Sequence, residues 1–372
     1  MADLSQDRLV RKEVALGTIR EITPPNGRIG LDLAPMLEVQ SDDVIFQYVT
    51  PEVEGLAPAR AEDSEAEMAQ KDDVSGTGRA SLIDWSIKDH YTASDVSRYR
   101  EYLALAELSN GTPFPLTISS MTEDFAGKMA RDTRLRKKKL DNRIEWLILE
   151  GFFKGEIVYN DGKIQFNVNY GRPSGQTDVV PGNLWSTAAA DPINDALTMQ
   201  ETMFDTHGVR MTRGYCSSKV LRNILNSEKF AARSGMTGAT GGKPVDPTYL
   251  IDGWGPQAAQ AVFERATGIQ LIAYDGIYRT RALGSTTTVN NRFSDEDTIL
   301  YLPAQEDINE LDDTAIGFAK TLTSPHPEGE WASGFYEWEE ATKDPWGHNV
   351  GSGVKAFPVM PHLEFTYTAK VL

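Results

Sequence analysis

The chain has 372 residues, 40% of them hydrophobic, which is enough to bury a sizeable core in one large domain or two to three smaller ones. Its formal net charge of −17, from 54 acidic and 37 basic residues, repels phosphate backbones and argues against a dedicated nucleic-acid binder. The single cysteine, Cys216, excludes an intramolecular disulfide framework and a multi-cysteine metal site and fits a reducing compartment, and no apolar run approaches the roughly 18 residues of a membrane span.

Residues 1–42 mix short apolar runs with Pro24, Pro25 and Pro35 and read as an arm lying along other structure. The opening MADLSQDRLVRKEVALGTIR has no apolar stretch of signal-peptide length. Residues 43–92 predict an extended hairpin. Val44, Phe46 and Tyr48 alternate as a strand does, and ASLIDWSIKDHY, with Leu82, Trp85 and Ile87, is expected to return as the second strand. Between them, residues 52–73 carry eight acidic and two basic residues, including Glu62, Asp63, Glu65 and Glu67. A two-stranded ribbon has no core of its own and expects a partner surface; the plainer reading is a surface loop of an ordinary domain.

Thr92 or Ser94 can cap a helix to Leu108, ended by Asn110-Gly111. The longest helix is expected over Ser120–Glu150, with a stop at Gly151 and an apolar stripe of Leu140, Ile144 and Leu147. Its length would be about 45 Å. Residues 128–143 hold eight basic and two acidic residues. Arg131, Arg134 and Lys138 are placed opposite the apolar stripe, and Arg136, Lys137, Lys139 and Arg143 extend the charge around the helix. Such a face meets a neighbouring copy, another protein or DNA, or it is simply a solvated surface with weak local ion pairs.

GEIVYNDGKIQFNVNY reads as a hairpin turning at Asn160-Asp161-Gly162. Beyond Asn183 the texture is mixed. Asp191-Pro192 opens a helix to Gly208, Ser217 or Ser218 opens another to Leu225, residues 231–247 form a Gly-rich loop, and Gly255-Pro256 begins a helix ending at Gly268. IQLIAYD, TILYLP and AIGFAKTL read as strands. Residues 325–361 hold five prolines and many turns, with Trp331, Trp338 and Trp346 as anchors. The last segment, LEFTYTAKV, alternates strictly and predicts a nine-residue strand with Leu363, Phe365, Tyr367, Ala369 and Val371 buried.

Chemical motifs fail on context. Gly242-Lys243 is followed by Pro244, and Thr237 stands where a P-loop needs glycine. GSGVKA at 351–356 matches the dinucleotide pattern but runs into Phe357-Pro358 with no helix to follow. His90, His207, His326, His348 and His362 show no metal-ligand spacing. No catalytic, cofactor-binding or metal-binding residues are predicted.

The order of elements resembles the phage major capsid protein E family, the lambda type, with the Hong Kong 97-type capsid fold. The residues that carry it are RKKKLDNRIEWLILEGFFKGEIVY, then NLWSTAAADPINDALTMQETMFDTHGVRMTRGYCSSKVLRNILNS, then IQLIAYDGIYR and WEEATKDPWGH…AFPVMP. The likeness runs over residues 120–372 and is one of architecture alone before that.

The resemblance implies an α+β chain with an N-terminal arm (1–42), an extended loop lying over a neighbour (43–92) and a peripheral domain (93–182) with its spine helix at 120–150. An axial domain (183–320) and a return to the peripheral domain with the C-terminal strand (321–372) complete it. It implies a capsid subunit, not an enzyme, that forms hexamers and pentamers of an icosahedral shell around double-stranded DNA, without sequence-specific binding and without a membrane. The shell would stand in the virion after assembly in host cytoplasm, with a portal and a decoration protein as further partners. Only a short arm precedes the hairpin, so the scaffolding protein is expected to be separate. Glu62, Asp63, Glu65, Glu67, Trp85, Arg131, Arg134, Arg136, Lys137, Lys138 and Lys139 are the expected intersubunit residues. Lys71 at the loop tip is the lysine that a cross-linking relative would use, though no partner for it is marked. Two alternatives stay open: an encapsulin-like cellular shell of the same fold, and a soluble α+β enzyme with a non-local site.

Overall fold

The computed structural model describes residues 16, 19–21, 27–51, 73–92, 94, 116–162, 164–233, 257, 259–281, 287–304, 316–343 and 346–372. The acidic tip with Glu62, Asp63, Glu65 and Glu67, Lys71, the expected helix to Leu108 and most of the Gly-rich loop lie outside these residues. The chain divides into two compact units, residues 1–44, 80–145 and 321–358, and residues 45–79, 146–320 and 359–372.

The first unit is built on a five-stranded sheet whose longest strand is Trp346–Val359. That strand pairs antiparallel with Phe335–Lys343, from Phe335↔Val354 to Lys343↔Trp346. It also pairs antiparallel with Asp84–Thr92, from Lys355↔Asp84 to Gly347↔Thr92. Lys320–Thr323 joins it as well and carries Met36–Glu38 parallel at its far edge. Phe335–Lys343 and Trp346–Val359 are thus two long strands, where proline and tryptophan content predicted turns. The glycines of GSGV are structural. A Cβ at Gly351 would overlap the Trp338 ring, and one at Gly353 the Tyr336 ring, so each aromatic side chain lies flat over a glycine of the paired strand.

The hairpin differs from its expected register. Asp43–Pro51 pairs with Asp73–Ser81 and with no other strand among the described residues. The return strand is DVSGTGRAS, whose polarity hid it. The Trp85 segment instead belongs to the five-stranded sheet. Trp85 is buried there, its Nε1–H donating to the Ala356 carbonyl at 3.1 Å, with the Arg143 guanidinium over its ring. It is an anchor of the sheet, buried within the chain where an intersubunit residue was expected.

The second unit carries a four-stranded sheet in the order Tyr367–Lys370, Thr298–Pro303, Met211–Cys216, Gln270–Ala273. The first two neighbouring pairs are antiparallel, and Met211–Cys216 runs parallel to Gln270–Ala273, as a connection through helices requires. Helix Pro192–His207 starts where Asp191 accepts the Asn194 N–H and ends at Gly208, which sits at φ 71°. Helix Ser218–Ile224 is capped by Ser217. These helices and the segment 259–267 pack Met199, Met203, Val220, Leu221, Ile224 and Phe263 onto Leu271, Ile299 and Tyr301. Glu156–Asn160 and Gln165–Asn169 form the expected hairpin, with Gly162 at φ 82° and its N–H on Asn160 Oδ1.

The chain end departs from the alternation. Leu363–Phe365 is a short 3-10 turn, and only Tyr367–Lys370 is a strand. Thr366 and Thr368 are fully buried, while Tyr367 and Ala369 are half-buried. The reason is a buried cation. Arg172 donates to Thr368 Oγ1 at 3.2 Å and to the Phe153 carbonyl at 3.1 Å, and it also reaches the Phe152 carbonyl. Thr368 Oγ1 further accepts the Asp178 N–H. This strand pairs with Thr298–Pro303 and bridges to Val179 on its other side. AIGFAKTL shortens to Lys320–Thr323, interrupted by Gly317 at φ 56°.

Candidate assembly surface

The long helix spans Leu116–Lys154, 39 residues or about 58 Å, and passes through Gly151 to end before Gly155 at φ 76°. Between Met129 and Glu145 it has two unlike faces. Thr133, Arg136, Lys137, Leu140, Asp141 and Ile144 are buried. These positions recur at spacings of three and four, so Arg136 and Lys137 stand one turn before Leu140 on the same stripe.

Arg136 lies against three strands of the first sheet. It donates to Ser352 Oγ at 2.9 Å, to Asp89 at 2.8 Å and to Glu337 at 2.6 Å, and within the helix to Thr133 Oγ1. Burial alone would lower its pKa, but the hydrogen bond to Asp89 and the charge of Glu337 outweigh it and hold the guanidinium higher than usual. Burial raises the Glu337 carboxyl, against the pull of Arg136. Lys137 pairs with Asp141 one turn on and places its ammonium 3.4 Å from the centre of the Phe335 ring. Beside them Tyr91 donates to Asp132, and burial pushes its phenol up to about 12. Two turns farther toward the helix's C-terminal end, Glu145 accepts the N–H groups of Ile29 and Gly30 and so ties down the short turn Gly30–Leu33.

Arg136 and Lys137 are therefore not part of an outward basic surface. The chain's own carboxylates neutralise them in its interior. Arg131, Arg134, Lys138 and Lys139 are exposed and surround Leu135, itself 49% exposed. None of the four cations makes an ion pair among the described residues. This outer face is the part of the predicted basic helix that remains available to a partner.

Conventional chemistry finds little foothold elsewhere. Among the described residues no group of three His, Cys, Asp or Glu side chains is arranged to hold a metal, and no helix is long and apolar enough to cross a membrane. Burial pushes the Cys216 thiol up to about 12, far from a reactive thiolate. His207 meets Gln176 and the edge of Phe365, and His348 pairs with Glu339 at 2.8 Å.

No family model matches the chain, and no curated protein does. Solved structures do. A protein of E. coli CFT073, described as the capsid protein of a prophage, superposes with a TM-score of 0.57 at 14% identity, over 97% of both chains. A phage-related protein from Bordetella bronchiseptica RB50 superposes with a TM-score of 0.52 at 12% identity, over 96% of both. The fold is α+β and is the phage capsid fold implied by the resemblance.

Proposed function

We propose that the chain is the major capsid protein of a tailed double-stranded DNA bacteriophage, a structural subunit of an icosahedral shell built from hexamers and pentamers. The observation that carries this reading is the likeness of fold over 97% of both chains to a protein described as a prophage capsid protein. The hairpin Asp43–Pro51/Asp73–Ser81 supports it, because a two-stranded ribbon gains its stability by lying on another surface. Closed shells repeat a few interfaces many times, and extended elements bury area on neighbours without a large core in each subunit.

In this reading the shell encloses DNA without reading its sequence, as the net charge of −17 favours. It assembles in host cytoplasm on a separate scaffolding protein around a portal, and a decoration protein can bind the finished virion. The acidic tip with Glu62, Asp63, Glu65 and Glu67 and the outward cations Arg131, Arg134, Lys138 and Lys139 belong to contacts between copies. Electron microscopy and native mass measurement of the purified protein test the reading. Closed shells or capsomer-sized rings are expected; a stable monomer or dimer at all protein concentrations would sink it.

A further inference from the structure

A second exposed feature lies in the first unit. Residues Gln40–Asp43, Pro325, Pro327, Trp331 and Lys355 line an open groove of about 620 Å³. The Trp331 indole is 72% exposed, the most exposed of the large apolar side chains described. It is not a loose side chain on a loose loop. Glu330 and Trp331 both sit at φ 59°, a conformation that costs non-glycine residues about 1 kcal/mol or more each. The turn is held there from several sides. The Trp331 N–H donates to the His326 carbonyl, the Ala332 N–H to Gly329 and the Glu330 N–H to Pro327. Arg20 donates to the Gly329 carbonyl at 3.1 Å, and the His326 ring stacks on Tyr336 at 3.9 Å.

The groove is acidic as well as apolar. Lys355 is the one cation among the described residues that line it, and Asp42 takes it at 2.8 Å while also accepting Ser324 Oγ. The Lys355 and Ser324 hydrogen bonds hold the Asp42 carboxyl below its usual range. Asp43 then leaves the lining with a negative excess, and exposed Glu330 precedes Trp331 in the chain. The outer face of the long helix is its complement: one exposed leucine beside four cations that make no ion pair among the described residues, against one exposed tryptophan with carboxylates beside it.

We infer that the Trp331 groove of one copy receives the Leu135 face of the long helix of a second copy. The inference rests on the shell reading above. Trp331 packs on Leu135, Arg131 or Arg134 lies over the indole face, and Lys138 and Lys139 meet the acids of the rim. Repeated from copy to copy, with each groove taking the helix face of the next, the contact is head-to-tail, the kind that closes rings of subunits.

Two singly substituted proteins, Trp331→Cys and Leu135→Cys, test it when co-assembled and then oxidised. The native thiol of Cys216 is buried and gives little background. A cross-linked dimer is expected from the mixture and from neither protein alone, and a mixture of Trp331→Cys with Leu197→Cys, an exposed position on another helix, should give none. Assembled particles without a 331–135 cross-link would overturn the inference and leave the shell reading standing. Dimers from Trp331→Cys alone would overturn it too, since they mark a symmetric contact. Absence of any particle from the unsubstituted chain strikes the shell reading instead. Trp331→Ala should raise the concentration needed for assembly by about tenfold, the scale of one lost hot-spot aromatic, with unchanged circular dichroism. An unchanged assembly threshold counts against the contact.

Discussion

Replacing Arg136 by methionine removes the charge at the centre of the buried helix–sheet contact and keeps most of the side-chain volume. Glu337 is 5% exposed, and its closest cation is Arg136 at 2.6 Å. Removing one member of a buried pair leaves the other charge uncompensated, a loss of about 3–5 kcal/mol. The Asp89 arm adds little, because Asp89 is 39% exposed and water replaces the lost partner. The loss should depend on pH. With Arg136 gone, burial and the nearby Glu339 charge, both of which raise the Glu337 pKa, act unopposed by that partner. A carboxyl whose folded pKa lies above its unfolded value favours the fold when protonated, and that contribution is lost as pH rises through the folded value. The deficit of Arg136→Met is therefore smaller at pH 5 than at pH 8. Arg136→Met with Glu337→Met removes both charges and should recover most of the loss. Urea unfolding of the unassembled chain, followed by tryptophan fluorescence, gives all four corners of the cycle. A deficit below about 1 kcal/mol that is equal at both pH values, or a double variant no better than the single, would refute the reasoning.

Two further outcomes follow from other parts of the chain. Deleting residues 52–73 should leave circular dichroism unchanged and abolish closed particles in micrographs, because the hairpin's expected role is between copies; normal particles would refute that role. Arg172→Met uncovers the carbonyls of Phe152 and Phe153 at the end of the long helix and costs about 3 kcal/mol. Hydrogen exchange over residues 152–155 should speed up markedly in that variant, while the amides of helix Pro192–His207 keep their rates.

Features written in local chemistry were legible in the sequence. Asp191-Pro192 and Gly208 bracket their helix, Ser217 caps the next, and Asn160 with Gly162 turns the hairpin, because each needs only a neighbour within a few positions. Features that depend on distant partners were not. Thr368 reads as an outward polar residue until Arg172, 196 positions away, is seen donating to its hydroxyl. GSGV looks like a ligand loop until Tyr336 and Trp338 are laid across its glycines. The basic helix shows the same limit most clearly. Its period already put Arg136 and Lys137 on the stripe of Leu140 and Ile144, yet charge content favoured solvent. Only Asp89 and Glu337, 47 and 201 positions away, make burial of Arg136 affordable.

That sorting changes what the remaining charges mean. A helix face whose cations all found carboxylates would be an ordinary solvated surface. Here the inward cations are matched within the chain, and the outward four are left without ion pairs among the described residues of a protein with 54 acidic residues. Among the described residues, Arg131, Arg134, Lys138 and Lys139 stand without ion pairs around an exposed leucine, as a face proposed to meet another copy would. The acidic rim around Trp331 on another copy is the complement that the same chain supplies.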